Sequence, residues 1–317
     1  MSTNDPTLPH AETLSYRRVS ANQLSFQVAM AGTGDRLVLC LHGFPEYSIS
    51  WRYQIQPLAE AGYRVWAPDL RGYGGTTRPS GLGTYAIESL LHDISGLLTA
   101  AGAPQTILVG HDWGGIIAWY YAMRYPERLK ALVILNAPHP ACFERELRRW
   151  RQLRRSWYMG VFQIPWLPEA ILSMGQSGII GKIFERMAIH REHIPNDIVQ
   201  RYRKQACAPE ALTAMLNYYR AALRGGGALR QRRLGYPKIE IPTLVLWGLQ
   251  DHALGPHNLD ELNRVVSDLT VVTLADAGHF VHEDKPNRVN HELVTWLNKK
   301  LRDSPQFSVP TPQSLAD

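Results

Sequence analysis

The chain has 317 residues, 45% hydrophobic and 20% charged, which suits one large α/β core with room for a smaller inserted domain. Its net charge of +6 is concentrated in residues 139–236, where Arg145, Arg148, Arg149, Arg151, Arg154 and Arg155 interleave with Glu144 and Glu146. That pattern reads as a solvated helix face; aromatic stacking platforms and known nucleic-acid signatures are missing, so no nucleic-acid partner is expected.

Residues 14–30 alternate in polarity around a turn at Ser20-Ala21-Asn22, as an antiparallel hairpin on a sheet edge would. A buried strand at 37–41, a helix at 50–61, a strand at 64–68 and a helix at 85–101 follow. The next elements are a strand at 106–110, a helix at 115–125 and a strand at 131–135. This alternation predicts a doubly wound, mostly parallel sheet. It stops near Pro138. Residues 139–234 are helical in character and are punctuated into short helices by Pro165, Pro168, Pro195 and Pro209. Strands resume at 243–247 and 269–274, and a last helix spans 285–301. The expected organisation is therefore an α/β core at 14–138 and 237–301, interrupted by a helical cap at 139–236. Flexible termini are expected at 1–13 and 302–317.

No targeting or membrane segment is expected. Residues 1–12 are polar, and the apolar stretch 161–180 is broken by Pro165, Pro168, Glu169 and two glycines. Cys40, Cys142 and Cys207 lie far apart, show no paired metal spacing and leave one over if two pair. A reduced, cytoplasmic setting is the expectation.

The chemistry centres on Gly110-His111-Asp112-Trp113-Gly114-Gly115, between a strand and a helix. Small residues bracket Asp112 as they bracket the serine of a Gly-x-Ser-x-Gly elbow. A carboxylate nucleophile is alkylated rather than acylated, so it points to an electrophilic sp³ carbon. Asp251 and His279 follow two later strands, giving the order nucleophile, acid, histidine at three strand ends. The competing uses are an N-cap for Asp112, a loop carboxylate for Asp251, and His282 in place of His279 as the base. Leu41-His42-Gly43-Phe44-Pro45 closes another strand end. An oxyanion hole there would take one backbone N–H from Phe44 and one from Trp113. His42 is expected to fix the loop; whether Pro45 is cis stays open.

These residues resemble the soluble, cap-bearing epoxide hydrolases of the α/β-hydrolase superfamily. The likeness covers nearly all of 14–301. It includes His42 to Tyr47, Ser50-Trp51-Arg52, Ala67 to Gly74 with Thr76, Gly110 to Gly115, Asn136-Ala137-Pro138 and Gly278-His279-Phe280. One departure is Gly75-Thr76-Thr77, where relatives often carry an acidic residue and serine; it is expected to loosen that loop.

The resemblance implies an α/β-hydrolase fold with an all-helical cap and a small epoxide as substrate, with no metal or organic cofactor. It also implies two cap tyrosines that donate to the oxirane oxygen. Tyr158, in Ser156-Trp157-Tyr158-Met159, matches the first setting, and Tyr219, in Leu216 to Arg220, the second. Tyr218 and Tyr219 are about 100° apart on a helix, so only one faces the site. Phe44, Trp113, Tyr158 and Tyr219 would line the substrate site. In the implied reaction Asp112 forms an alkyl-enzyme ester, which His279, oriented by Asp251, hydrolyses with water to a vicinal diol. A monomer or homodimer is expected. The alternatives are a haloalkane or haloacid dehalogenase using the same aspartate, and a catalytically silent binder. A serine esterase is disfavoured because the elbow has no serine.

Overall fold

A computed structural model describes residues 14–301, which build an eight-stranded sheet in the order β1-β2-β4-β3-β5-β6-β7-β8. The edge hairpin pairs β1 (Ser15–Ala21) with β2 (Leu24–Ala31), antiparallel. Its turn is Asn22-Gln23, later than the sequence suggests, and both residues have positive φ (44° and 61°). A two-residue hairpin needs that backbone at both central positions; Asn adopts it readily, so Ser20 and Ala21 remain in the strand.

The strands β3 (Leu37–Leu41), β5 (Thr106–His111), β6 (Leu129–Leu135), β7 (Thr243–Gly248) and β8 (Leu269–Leu274) run parallel beside β4 (Arg64–Pro68). Apart from the half-exposed edge strand β8, they are nearly continuous apolar runs because helices cover both faces. The pleat sorts their side chains: Leu37, Leu39 and Leu41 enter one core layer, Val38 and Cys40 the other. On the first face lie α2 (Ile87–Ala100) and α3 (Trp113–Arg124), burying Leu90, Ile94, Leu97 and Ile117. On the second lie α1 (Arg52–Glu60) and α12 (Pro286–Leu301), burying Ile55, Leu58, Val289 and Leu293. The helix expected at 50–61 opens as a 3₁₀ turn, Ser48–Trp51, and the one expected at 85–101 is preceded by another, Leu82–Tyr85.

Between β6 and β7 the chain forms the helical cap: α4 (Pro140–Leu147), α5 (Trp150–Arg155), α6 (Trp157–Val161), α7 (Leu167–Met187), α8 (Asn196–Ala206), α9 (Ala211–Leu223) and α10 (Gly227–Leu234). The stretch α7 is two short helices joined across a kink, in keeping with the expected short pieces, but this break does not fall at a proline. Pro168 sits in its first turn, where a missing N–H costs nothing, and the break falls at Met174–Ser177, which leave helical geometry. A short α11 (Val281–Asp284) precedes α12. The expected flexible termini lie outside the described residues.

Buried polar contacts set the cap on the core. The Asp284 carboxylate accepts the N–H groups of Ile189 and His190, and the Tyr202 hydroxyl donates to Glu283, itself paired with Arg52 at 2.6 Å. The Arg71 guanidinium grips Asp93 with two bonds, while its carbonyl accepts from Tyr218. Thr76 and Thr77 tighten their loop rather than loosen it. The Thr76 hydroxyl donates to the Asp69 carbonyl and accepts from Gln27 N–H, and Thr77 accepts from Ser25 N–H. The basic run is also less free than its charges suggest. Arg145, Arg149 and Arg151 converge on the buried Glu146, leaving Arg148 and Arg154 exposed. No described helix is long and apolar enough to cross a membrane.

Candidate active site

Strand β5 delivers Asp112 into a turn with φ 47° and ψ −118°, a backbone that an L-residue holds only when its surroundings impose it. Glycines make the turn possible. A Cβ on Gly114 would stand 2.1 Å from the Leu41 carbonyl, and one on Gly43 would meet the Asp112 Cβ at 2.4 Å. The Asp112 side chain makes no capping bond to α3, so the N-cap reading is set aside. Its Oδ1 accepts from the Phe44 N–H at 2.8 Å, across a cis Phe44-Pro45 turn. Among the described residues the Trp113 N–H makes no hydrogen bond to Asp112; it points from the first helical position, where α3's free N–H groups lie.

The imidazole of His279 stands between two carboxylates. Nδ1 donates to Asp251 Oδ2 at 2.8 Å, and Nε2 lies 3.6 Å from Asp112 Oδ2. Burial works against its charge, but Asp251 and then Asp112 outweigh that, and its pKa rises to about 9. Burial also opposes ionisation of Asp251, yet His279, two backbone N–H groups (Ala253, Leu254) and Asn136 hold it below its ordinary value. Asp251 is thus both loop carboxylate and histidine partner. His282 is elsewhere: buried against Trp51 and 3.4 Å from Glu46. His42 accepts from Leu70 N–H through Nε2 and holds the Gly43 carbonyl with Nδ1; burial keeps its pKa low, which suits a loop brace.

From the cap, α6 presents Tyr158 and α9 presents Tyr219, their ring centroids 6.1 Å apart. Tyr219 packs edge-on against Trp113 and Phe44. Tyr218, one step round the helix, turns its hydroxyl away to Arg71. Burial, then the Asp112 charge, pushes both Tyr158 and Tyr219 above the ordinary phenol value, so both stay protonated donors. Asp112, Trp113, Tyr158 and Tyr219 all line one cavity, almost wholly apolar elsewhere.

Two features escape sequence reasoning. Asn136 appears there only within a motif. Here its side chain donates to Asp251 and accepts from Gly248 N–H, and its φ of 37° is a backbone Asn tolerates. Behind the histidine, Glu46 accepts from Gly43 N–H and contacts His111 Nδ1 at 2.8 Å, while His111 Nε2 meets the His279 carbonyl at 2.9 Å. Glu46, His111 and His282 are fully buried and bring ligand-type atoms within 4.8 Å of one another. Glu46 and His111 spend theirs on each other, which makes the trio a brace for the His279 backbone.

Comparison with known proteins identifies the family. Residues 36–173 and 200–286 match the family model described as alpha/beta hydrolase fold. An AB hydrolase superfamily protein of Bacillus subtilis is 36% identical, over 89% of this chain and 97% of its own length. Human epoxide hydrolase 4 is 35% identical, over 94% of this chain and 82% of its own. The crystal structure of an epoxide hydrolase from Bacillus megaterium superposes with a TM-score of 0.81 at 32% identity, covering 89% of this chain and all of that one. Shared sequence over nearly the whole chain, and shared architecture beneath an aspartate elbow and a tyrosine-bearing cap, place this protein in the epoxide hydrolase family of the α/β-hydrolase superfamily.

Proposed function

We propose that this enzyme adds water to a small epoxide to give a vicinal diol. The observation that carries the reading is the pair of protonated phenols, half-buried Tyr158 and buried Tyr219, sharing one cavity with the carboxylate of Asp112. An Asp112 oxygen attacks one oxirane carbon and the C–O bond breaks. The departing oxygen takes hydrogen bonds and a proton from the phenols, because an alkoxide leaves poorly without them. The product is an ester on Asp112. Esterification removes one of the two negative charges that hold the proton on His279, so the imidazole loses its proton more readily and can serve as base. His279 then takes a proton from water, and the hydroxide attacks Cγ of Asp112. The tetrahedral oxyanion is met by the N–H groups of Phe44 and Trp113. Collapse releases the diol, its oxygen reclaiming the proton from His279, and the acid proton left on Asp112 returns to the phenolate, restoring the carboxylate and both phenols. The route requires neither metal nor organic cofactor.

A dehalogenase would share Asp112 and Trp113, but Phe44 stands where a halide-binding indole or amide would, and a phenyl ring donates no hydrogen bond to halide. A monomer or homodimer in a reduced cytoplasmic setting suits three free, scattered cysteines.

A single turnover in ¹⁸O-labelled water tests the scheme. Label enters the Asp112 carboxylate first; label appearing directly in the diol on the first turnover refutes it.

A further inference from the structure

A cavity leads away from Asp112 along Trp113 and Tyr219. From Trp113 and Tyr219 it runs between the core helices and the cap, past Ile116, Phe143, Leu147 and Ala222, to a mouth at Leu223 and Ala228. Its water-accessible interior is about 170 Å³. Phe44 and Phe162 contribute nothing to its wall. Their rings pack edge to face at 5.7 Å, and each also packs on Tyr219, at 5.6 and 5.0 Å. Phe162 further packs on Tyr158 at 5.5 Å. Four aromatic rings therefore form a closed block beside the reacting atoms, with Phe44 and Phe162 both buried.

We propose that the enzyme is specific for terminal epoxides bearing one apolar substituent, and discriminates against epoxides substituted on both carbons. This rests on the epoxide-hydrolase reading. The single substituent lies in the open arm, covered by aliphatic and aromatic side chains. The unsubstituted CH₂ faces the aromatic block, where a hydrogen fits and an alkyl group does not. That CH₂ is also the carbon Asp112 attacks, since it is the less hindered one. A second alkyl group would have to displace close-packed rings, which a packed interior resists.

The test compares two isomers of equal formula, 1,2-epoxyoctane and trans-4,5-epoxyoctane, by kcat/KM. The terminal isomer is expected to be preferred at least about tenfold. Phe162→Ala, which opens the block, should raise the internal-to-terminal ratio by a similar factor. Should that variant fail to fold, Ala222→Trp probes the other end. It should depress kcat/KM for 1,2-epoxydodecane relative to 1,2-epoxybutane. Equal rates on the two octane isomers, or an unchanged chain-length preference in Ala222→Trp, overturn the proposal while leaving epoxide hydrolysis intact. Failure to hydrolyse any of the four epoxides overturns the underlying reading as well.

Discussion

Asn136 and His279 meet on a single oxygen: the Asn136 Nδ2 and the His279 Nδ1 each approach Asp251 Oδ2 at 2.8 Å. Asn136 comes from the end of β6 and His279 from beyond β8, so the carboxylate ties two strand ends to one orientation of the imidazole. The same amide accepts the Gly248 N–H at 2.9 Å, so its removal strands a buried donor. Asn136→Ala should destabilise the protein by about 1–3 kcal/mol. It should also slow hydrolysis of the ester more than its formation. Thermal unfolding and pre-steady-state accumulation of alkyl-enzyme measure the two effects.

His279→Gln should uncouple the half-reactions. The amide can still donate to Asp251 but cannot take a proton from water. Incubation with an epoxide should yield protein heavier by one substrate molecule and no diol beyond one turnover, read by intact mass spectrometry. Continued turnover would remove His279 from its role.

The pH dependence has a defined sign. The folded-state pKa of His279 is raised, from the ordinary 6.5 to about 9. Its stabilising contribution is complete below pH 6.5 and fades as pH climbs through 9, because the unfolded chain releases that proton earlier. The magnitude at neutral pH is on the order of 3 kcal/mol at most. The stability gap between wild type and His279→Gln should therefore narrow steadily from pH 6.5 to 9.5 in denaturant titrations. A gap that widens over this range would contradict the paired arrangement.

The two cap phenols should matter separately from their neighbour. Tyr158→Phe and Tyr219→Phe should each lower the rate of Asp112 alkylation by about 10²-fold or more. Tyr218→Phe loses one hydrogen bond to Arg71 and should cost about 1 kcal/mol of stability with little change in alkylation. Stopped-flow measurement of the alkylation phase separates the three. Unchanged rates in both of the first two variants would refute donation to the oxirane oxygen.

Gly43→Ala should be among the most damaging small changes, because its methyl would collide with the Asp112 Cβ at 2.4 Å. Loss of alkylation, with stability reduced by a few kcal/mol, is the expected outcome. Activity assay and thermal melting of the purified variant check it.

The proposed nucleophile, its two partners and the strand-helix frame are legible in the chain because each leaves a local mark. Asp112 sits between glycines that a tight turn demands, and Asp251 and His279 follow apolar runs of strand length. Period-two layering and helical spacing likewise need only neighbours in sequence. Elements without such marks are harder to place. The hairpin turn shifts to Asn22-Gln23 because positive φ, not polarity, selects it. The break in α7 falls at Met174–Ser177 rather than at a proline, since a proline in a first helical turn costs nothing.

By itself, then, the order of residues determined the fold class and the chemistry of the bond-making group, since both depend on short-range patterns. Only the tertiary structure decided which side chains act together. It joined Asn136 to Asp251 across more than a hundred residues, turned the Tyr218 hydroxyl away to Arg71 while Tyr219 packed on Trp113, and buried Glu46 and His111 behind His279. It also packed Phe44 against Phe162 and Tyr219, and left a cavity along Asp112, Trp113 and Tyr219. Those outcomes depend on how a cap of seven described helices settles on the sheet. Packing between segments distant in sequence sets that placement, and no local pattern encodes it.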